Sequence, residues 1–174
     1  MSMDQTLRVI NQMQADGVIG PYAIGGAIAA TFYLEPTSTF DLDIFISFNK
    51  NANEIVNLGP IYEYLKQRGY KPKGQYITIE GWDVEFLPAD DQLYNEALSK
   101  AQPAQIHGVN TYVMTPEYLM TIALKTGRPK DFIRLDQFIQ AKSYDADKLR
   151  DVLARNGLLQ KWEKFNVSYA ERTK

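Results

Sequence analysis

A chain of 174 residues is long enough for one domain, or for one domain carrying a small helical appendage. It has no cysteine and a single histidine, His107, which excludes disulfides, thiol catalysis, cysteine-bound zinc and histidine-rich metal or phosphohydrolase sites. The net charge of −2 and pI near 5.5 supply no global basic field for nucleic acid or an anionic membrane, and with no secretory leader or bilayer-length apolar run the expected compartment is the cytoplasm, with no membrane partner.

In chain order, residues 4–16 carry Leu7, Val9, Ile10 and Met13 at helical spacing, and Asp16-Gly17 ends the pattern. Pro21 to Ile24 reads as a short strand running directly into Gly25-Gly26, and Ala27 to Leu34 as a compact helix rich in small residues. Glu35-Pro36-Thr37-Ser38-Thr39 is a polar loop, because Pro36 stops the helix and hydroxyl side chains favour turns. Asp41 to Phe48 is the next strand, Asn49 to Asn53 a turn, and residues 54–68 an amphipathic helix that Pro60 is expected to kink or split. Tyr76–Ile79 and Trp82–Leu87 form a hairpin around Gly81, residues 90–99 a short helix, and residues 104–107 and 110–114 a second hairpin turning at Gly108. Thr115-Pro116-Glu117 is a helix start, with Thr at the N-cap and Pro in the first turn. Helix then continues to the end, with breaks at Gly127-Arg128-Pro129, Ser143-Tyr144 and Asn156-Gly157. The composition shift near residue 115 divides an α/β core, residues 1–114, from a C-terminal helical subdomain packed on it, residues 115–174.

The chemistry centres on Asp41-Leu42-Asp43-Ile44. Residues i and i+2 of a strand face the same side, so Asp41 and Asp43 project together. Two carboxylates that close repel, the more so when desolvated, and a divalent cation relieves the repulsion; oxygen ligands suit Mg²⁺, with Mn²⁺ as the substitute. Upstream, paired glycines let a phosphate approach the backbone, and the helix that follows offers free N–H groups. Fourteen residues, 27–40, separate Gly26 from Asp41, enough for a short helix and a return loop that bring both to one sheet edge.

Ile24-Gly25-Gly26 and Asp41-Leu42-Asp43-Ile44 together resemble the signature of the nucleotidyltransferase superfamily, whose fold is that of DNA polymerase beta. The resemblance implies an α/β (α+β) fold, a mixed sheet flanked by helices with a C-terminal helical bundle. It also implies Mg²⁺-dependent transfer of a nucleoside monophosphate from an NTP to an acceptor hydroxyl. Asp41 and Asp43 would bind the metal and triphosphate, Gly25, Gly26, Ser38 and Thr39 would cradle the phosphates, and an acid on a later strand would complete the metal site and take the acceptor proton. Asp83 and Glu85 lie two apart and share a face, so both are candidates; Val84-Glu85-Phe86-Leu87 fits the family pattern better and makes Glu85 the preferred third ligand.

The helical half resembles the abortive-infection toxin branch of the same superfamily. Leu119 to Lys125, then Arg128, then Lys130-Asp131 stand as in that branch, which implies that Lys125 faces the triphosphate with Arg128 beside it and that Asp131 anchors the loop. An antitoxin is then the implied protein partner, and tRNA, a protein or a small molecule the acceptor. Pro36-Thr37-Ser38-Thr39 lacks the arginine that many relatives carry before the first aspartate, a departure that suits an inactive nucleotide-binding or regulatory module with the same fold. A metal-dependent glycosyltransferase also uses Asp-x-Asp, but the short chain and the Gly-Gly upstream argue against it. Lys66, Arg68, Lys71 and Lys73 form a local basic segment, read as a solvated helix end that could also meet tRNA.

Overall fold

The computed structural model describes residues 2–36, 38–39, 41–47 and 57–173. Its order is α1 (Met3–Ala15), β1 (Tyr22–Ile24), α2 (Gly26–Ala30), β2 (Asp41–Ile46), α3 (Gly59–Gln67), β3 (Pro72–Lys73), β4 (Tyr76–Ile79), β5 (Trp82–Pro88), α4 (Gln92–Ser99), β6 (Gln102–Ile106), β7 (Val109–Val113), α5 (Pro116–Thr126), α6 (Pro129–Ala141), α7 (Ala146–Arg155) and α8 (Leu159–Arg172). The fold is mixed α/β, and the chain divides into two compact units: Met1–Ala29 with Thr37–Met114, and Ala30–Pro36 with Thr115–Lys174.

The first unit is a seven-stranded mixed sheet in the order β3-β4-β5-β2-β1-β7-β6. β2 lies centrally, parallel to β5 and antiparallel to β1. On one sheet face Tyr22, Ile24, Leu42, Ile44, Ile46, Ile77, Ile79, Val84 and Phe86 are buried, as period-2 patterning requires. α1 lies on that face. It buries Leu7, Ile10 and Met13, the Thr6 hydroxyl donates to the Ile79 carbonyl at 3.0 Å, and the Tyr22 hydroxyl donates to Asn11 Oδ1 at 2.8 Å. Both sheet edges carry a proline, Pro72 in β3 and Pro103 in β6, and so each lacks one ladder donor that another chain would pair with.

Both hairpins turn on two residues of positive φ, Glu80-Gly81 and His107-Gly108, the geometry that matches strand twist. Pro60 stands in the first turn of α3 instead of kinking a longer helix, because that turn needs no N–H from it. Phe48, the expected turn 49–53 and the first residues of the expected helix, 54–56, lie outside the described residues, as do Thr37 and Phe40. α2 is shorter than the pattern suggested: regular helix stops at Ala30 and turns carry residues 31–33. β3, only two residues long, has no pattern by which a sequence could announce it.

The second unit is built around α5, which buries Tyr118, Leu119, Met120, Ala123 and Leu124. Thr115 has the N-cap backbone conformation, yet its side chain makes no capping bond. Leu135 and Phe138 from α6, Leu149, Val152 and Leu153 from α7 and Phe165 from α8 complete the core. Buried Glu117 accepts the Asp145 backbone N–H at 2.8 Å, just where Asp145 itself caps α7 through the N–H groups of Asp147 and Lys148. No helix among the described residues is long and apolar enough to cross a membrane.

Two outcomes follow from local chemistry. Asp91 caps α4 by accepting the Tyr94 N–H at 2.8 Å; Asp91→Ala should lower unfolding free energy by about 1 kcal/mol with an unchanged denaturant slope, measured by urea titration. The Tyr70 hydroxyl donates to Glu80 at 2.6 Å, and burial together with that carboxylate raises its pKa to about 12. A raised phenol pKa contributes stability that is complete below the unfolded value of about 10 and is lost as pH climbs through the folded one. Ultraviolet titration should therefore show a phenolate component near pH 12 that Tyr70→Phe deletes.

Candidate active site

The second face of the central strands carries the polar chemistry. Asp41 and Asp43 alternate with buried Leu42 and Ile44 and are half-buried. Parallel pairing sets Asp41 beside Asp83 and Asp43 beside Glu85, so four carboxylates share one patch of two adjacent strands. Further along the same face the character changes: Phe45 packs edge-to-face against Tyr94 of α4, ring centroids 5.2 Å apart.

Gly25 and Gly26 fold directly onto this face. The Gly25 N–H donates to the Asp43 carbonyl at 2.9 Å, and a Cβ on Gly25 would stand 2.5 Å from the Phe45 ring. Gly26 has φ +57, and a Cβ there would collide with the Asp43 carboxylate. Only a glycine pair lets the β1–α2 turn lie this close to Asp43. Thr39 adjoins the other aspartate, its hydroxyl oxygen accepting the Asp41 N–H at 3.4 Å, while Ser38 is exposed in the same loop.

The four carboxylates are not equivalent. Asp83 accepts from Thr78 Oγ1 at 2.6 Å and from Lys73 Nζ at 2.7 Å. These bonds, Lys73 first, hold its pKa below the usual carboxylate value; the Lys73 ammonium is raised in turn by Asp83, with Asp41 adding to the effect. Glu85 accepts a long contact of 3.4 Å from Gln75 Nε2, the same amide that donates to the Tyr76 hydroxyl at 3.2 Å. Tyr76 borders the patch: burial, then the charges of Asp41, Glu85 and Asp43, push its phenol pKa up.

As site residues, Tyr76, Gln75 and Lys73 escape a reading of the sequence. Tyr76 is within reach of one: a two-residue turn at Glu80-Gly81 pairs Thr78 with Asp83, and alternation then puts Tyr76 on the acidic face. Lys73 has no such signal.

As a donor set, Asp41, Asp43 and Glu85 offer carboxylate oxygens alone, which fits a hard divalent cation such as Mg²⁺. In the side-chain conformations described, no three acidic or histidine side chains among the described residues gather tightly enough to hold a metal ion. The register aligns their backbones; carboxylate rotation would have to bring the oxygens together.

In the second unit, Lys125 is exposed in the last turn of α5, where its carbonyl accepts from Lys161 Nζ at 3.3 Å. Gly127 ends that helix with φ +68. Buried Asp131 accepts the Arg128 backbone N–H at 3.1 Å and its side-chain Nε and Nη2 at 2.8 and 3.2 Å, tying the loop to the start of α6. Arg134 Nη1 stands 3.8 Å from the same carboxylate.

No protein-family model matches the chain, and no curated protein matches it either. Solved structures do. An antigenic nucleotidyltransferase-like protein from Paracoccidioides brasiliensis superposes with a TM-score of 0.57 at 15% identity, over 98% of this chain and 94% of the other. The antibiotic-resistance factor ANT(2'')-Ia, in its solution structure, gives 0.55 at 14% identity, over 97% and 100%. The chain has the nucleotidyltransferase fold. Identities this low establish the nucleotidyltransferase fold alone and carry no residue role across to Asp41, Asp43 or Glu85.

Two glycines separate backbone strain from site geometry. Gly17 has φ +74 and open space for 4 Å around the position a Cβ would take, whereas Gly26 has both positive φ and the Asp43 carboxylate in the way. Gly17→Ala should cost about 1–2 kcal/mol of stability, the left-handed penalty alone. Gly26→Ala should cost more and shift the backbone amide signals of Asp43 and its strand neighbours, read by denaturation and by NMR.

Proposed function

We propose that the protein is a nucleotidyltransferase, transferring a nucleoside monophosphate from an NTP to an acceptor hydroxyl. The observation carrying this reading is the register that sets Asp43 beside Glu85 and Asp41 beside Asp83, with Gly25-Gly26 folded onto Asp43. Asp41, Asp43 and Glu85 would hold Mg²⁺ or Mn²⁺, which would supply charge neutralisation at the phosphate oxygens. Gly25 and Gly26 let the triphosphate approach the backbone, and Ser38 and Thr39 offer hydroxyls to it. Glu85 accepts the acceptor's proton as the acceptor oxygen bonds to the α-phosphorus and the bond to the β-phosphate breaks, releasing pyrophosphate. Lys125 and Arg128 supply positive charge, and Asp131 fixes the loop that carries Arg128. Residues 1–114 form the nucleotidyltransferase core in this reading and 115–174 its helical subdomain.

Glu85 is favoured over Asp83 on physical grounds. Both Asp83 oxygens already serve Thr78 and Lys73, and recruiting them to a metal would break two short hydrogen bonds. The acceptor belongs to a tRNA, a protein or a small molecule; the likeness to the toxin branch makes an antitoxin the protein partner to seek, in the cytoplasm. A second reading, a nucleotide-binding module without turnover, is favoured by the loop before Asp41, where Pro36, Ser38 and Thr39 stand and no arginine does.

The test is transfer of labelled NMP, run with each NTP and Mg²⁺ against RNA, protein and aminoglycoside acceptors, beside calorimetric NTP binding. Glu85→Gln should lower the transfer rate by about 10²–10⁴, the usual contribution of a positioned base, and Asp83→Asn by far less. Equal losses in those two variants would remove Glu85 from its role. Binding of Mg²⁺-NTP that is absent in the wild type, or unchanged in Asp41→Ala/Asp43→Ala, would sink the reading; binding without transfer to any acceptor would favour the inactive module.

A further inference from the structure

The helical unit contains a cleft of about 460 Å³ that the proposed chemistry does not use. That volume lies in the range of small-molecule sites. Its floor is apolar: Leu124 of α5, Phe132 of α6 and Phe165 of α8. Phe132 and Phe165 stack at 5.7 Å and 15°, and Trp162 continues the ladder on Phe165 at 5.7 Å and 22°. Phe165 is buried with Phe132 and Trp162 stacked against it, so half-buried Phe132 supplies the accessible aromatic surface of the floor.

Cationic side chains flank that floor, presenting mostly their aliphatic stems to the cleft. Lys161, Lys164 and Arg172 line the cleft together with Ser168, and no acidic residue among the described residues lines it. Arg172 is held in place by a two-pronged pair with Asp136, 3.1 and 3.2 Å, while its guanidinium lies 5.8 Å from the Phe165 ring centroid. Asp136 offsets one of the three charges. Lys161 gives one N–H to the Lys125 carbonyl at 3.3 Å and keeps two donors. An excess of two positive charges over an aromatic floor complements one ligand chemistry, a flat ring bearing a dianionic phosphate.

We infer that this cleft binds a small aromatic phosphomonoester, its ring against Phe132 and its phosphate at Lys164 and Lys161, with Arg172 adding positive charge at the far end. The site lies wholly within the helical unit, so it stands or falls separately from nucleotidyl transfer at Asp41 and Asp43. Because Lys161 also bonds the last turn of α5, an occupant would act at the helix end that bears Lys125.

The test uses the full chain in EDTA, with 4-methylumbelliferyl phosphate as the probe and fluorescence anisotropy as the readout. Saturable binding is expected, retained in Asp41→Ala/Asp43→Ala and weakened about tenfold or more by Lys164→Glu, the loss of one charge-assisted contact. Lys164 is exposed, so that variant leaves the core untouched. Displacement by AMP would identify the occupant as a nucleotide, and resistance to AMP would identify a non-nucleotide aromatic phosphate; both support the site. Equal binding of the unphosphorylated fluorophore, indifference to Lys164→Glu, or no saturable binding would overturn it. Loss of binding in Asp41→Ala/Asp43→Ala would also overturn it, by moving the probe to the carboxylate face.

Discussion

Like charges on neighbouring strands are the constraint around which the sheet is arranged. Carboxylates set side by side on adjacent strands repel. Parallel pairing of β2 with β5 imposes that proximity twice, at Asp41 with Asp83 and at Asp43 with Glu85. Such repulsion works against folding. The burden is tolerated because Leu42, Ile44, Val84 and Phe86 of the same strands are buried on the opposite face, and a one-residue slip would expose all of them. The hydrophobic face thus enforces the electrostatic one.

Local relief is uneven. Asp83 is neutralised by Lys73 and Thr78 from the hairpin edge, while Asp43 has its backbone carbonyl fixed by Gly25. The result is a graded patch, with one carboxylate retired into structure and three on a face bordered by Tyr76 and the glycine turn. The helical unit handles its buried acids differently: Glu117 receives a backbone N–H and Asp131 receives three donors from Arg128 alone. There the carboxylates organise loops, and their hydrogen bonds are complete enough to support burial.

Much of this is legible in residue order. Gly25-Gly26 ahead of Asp41-Leu42-Asp43 declares a close backbone approach, and the pattern Leu42, Ile44, Ile46 declares which way the aspartates point. Turn chemistry places both hairpins, since Gly81 and Gly108 supply the positive φ that two-residue turns need. Pro60 misleads, because a proline inside an apolar pattern reads equally as a kink or as a first turn, and only the position of the helix start decides. The choice between Asp83 and Glu85 is beyond alternation, which puts both on one face.

Residue order alone thus settles the period-dependent facts: which side chains share a face, where the turns fall, and where helix follows sheet. These depend on neighbours within a few residues, and local sterics and patterning suffice for them. Partners come from tertiary packing instead. β5 pairs with β2 across some forty residues, β3 brings Lys73 to Asp83, and β4 brings Tyr76 and Thr78 to the acidic face. Those contacts depend on strand order and register, which arise from burying the whole apolar face at once, so no local window contains them.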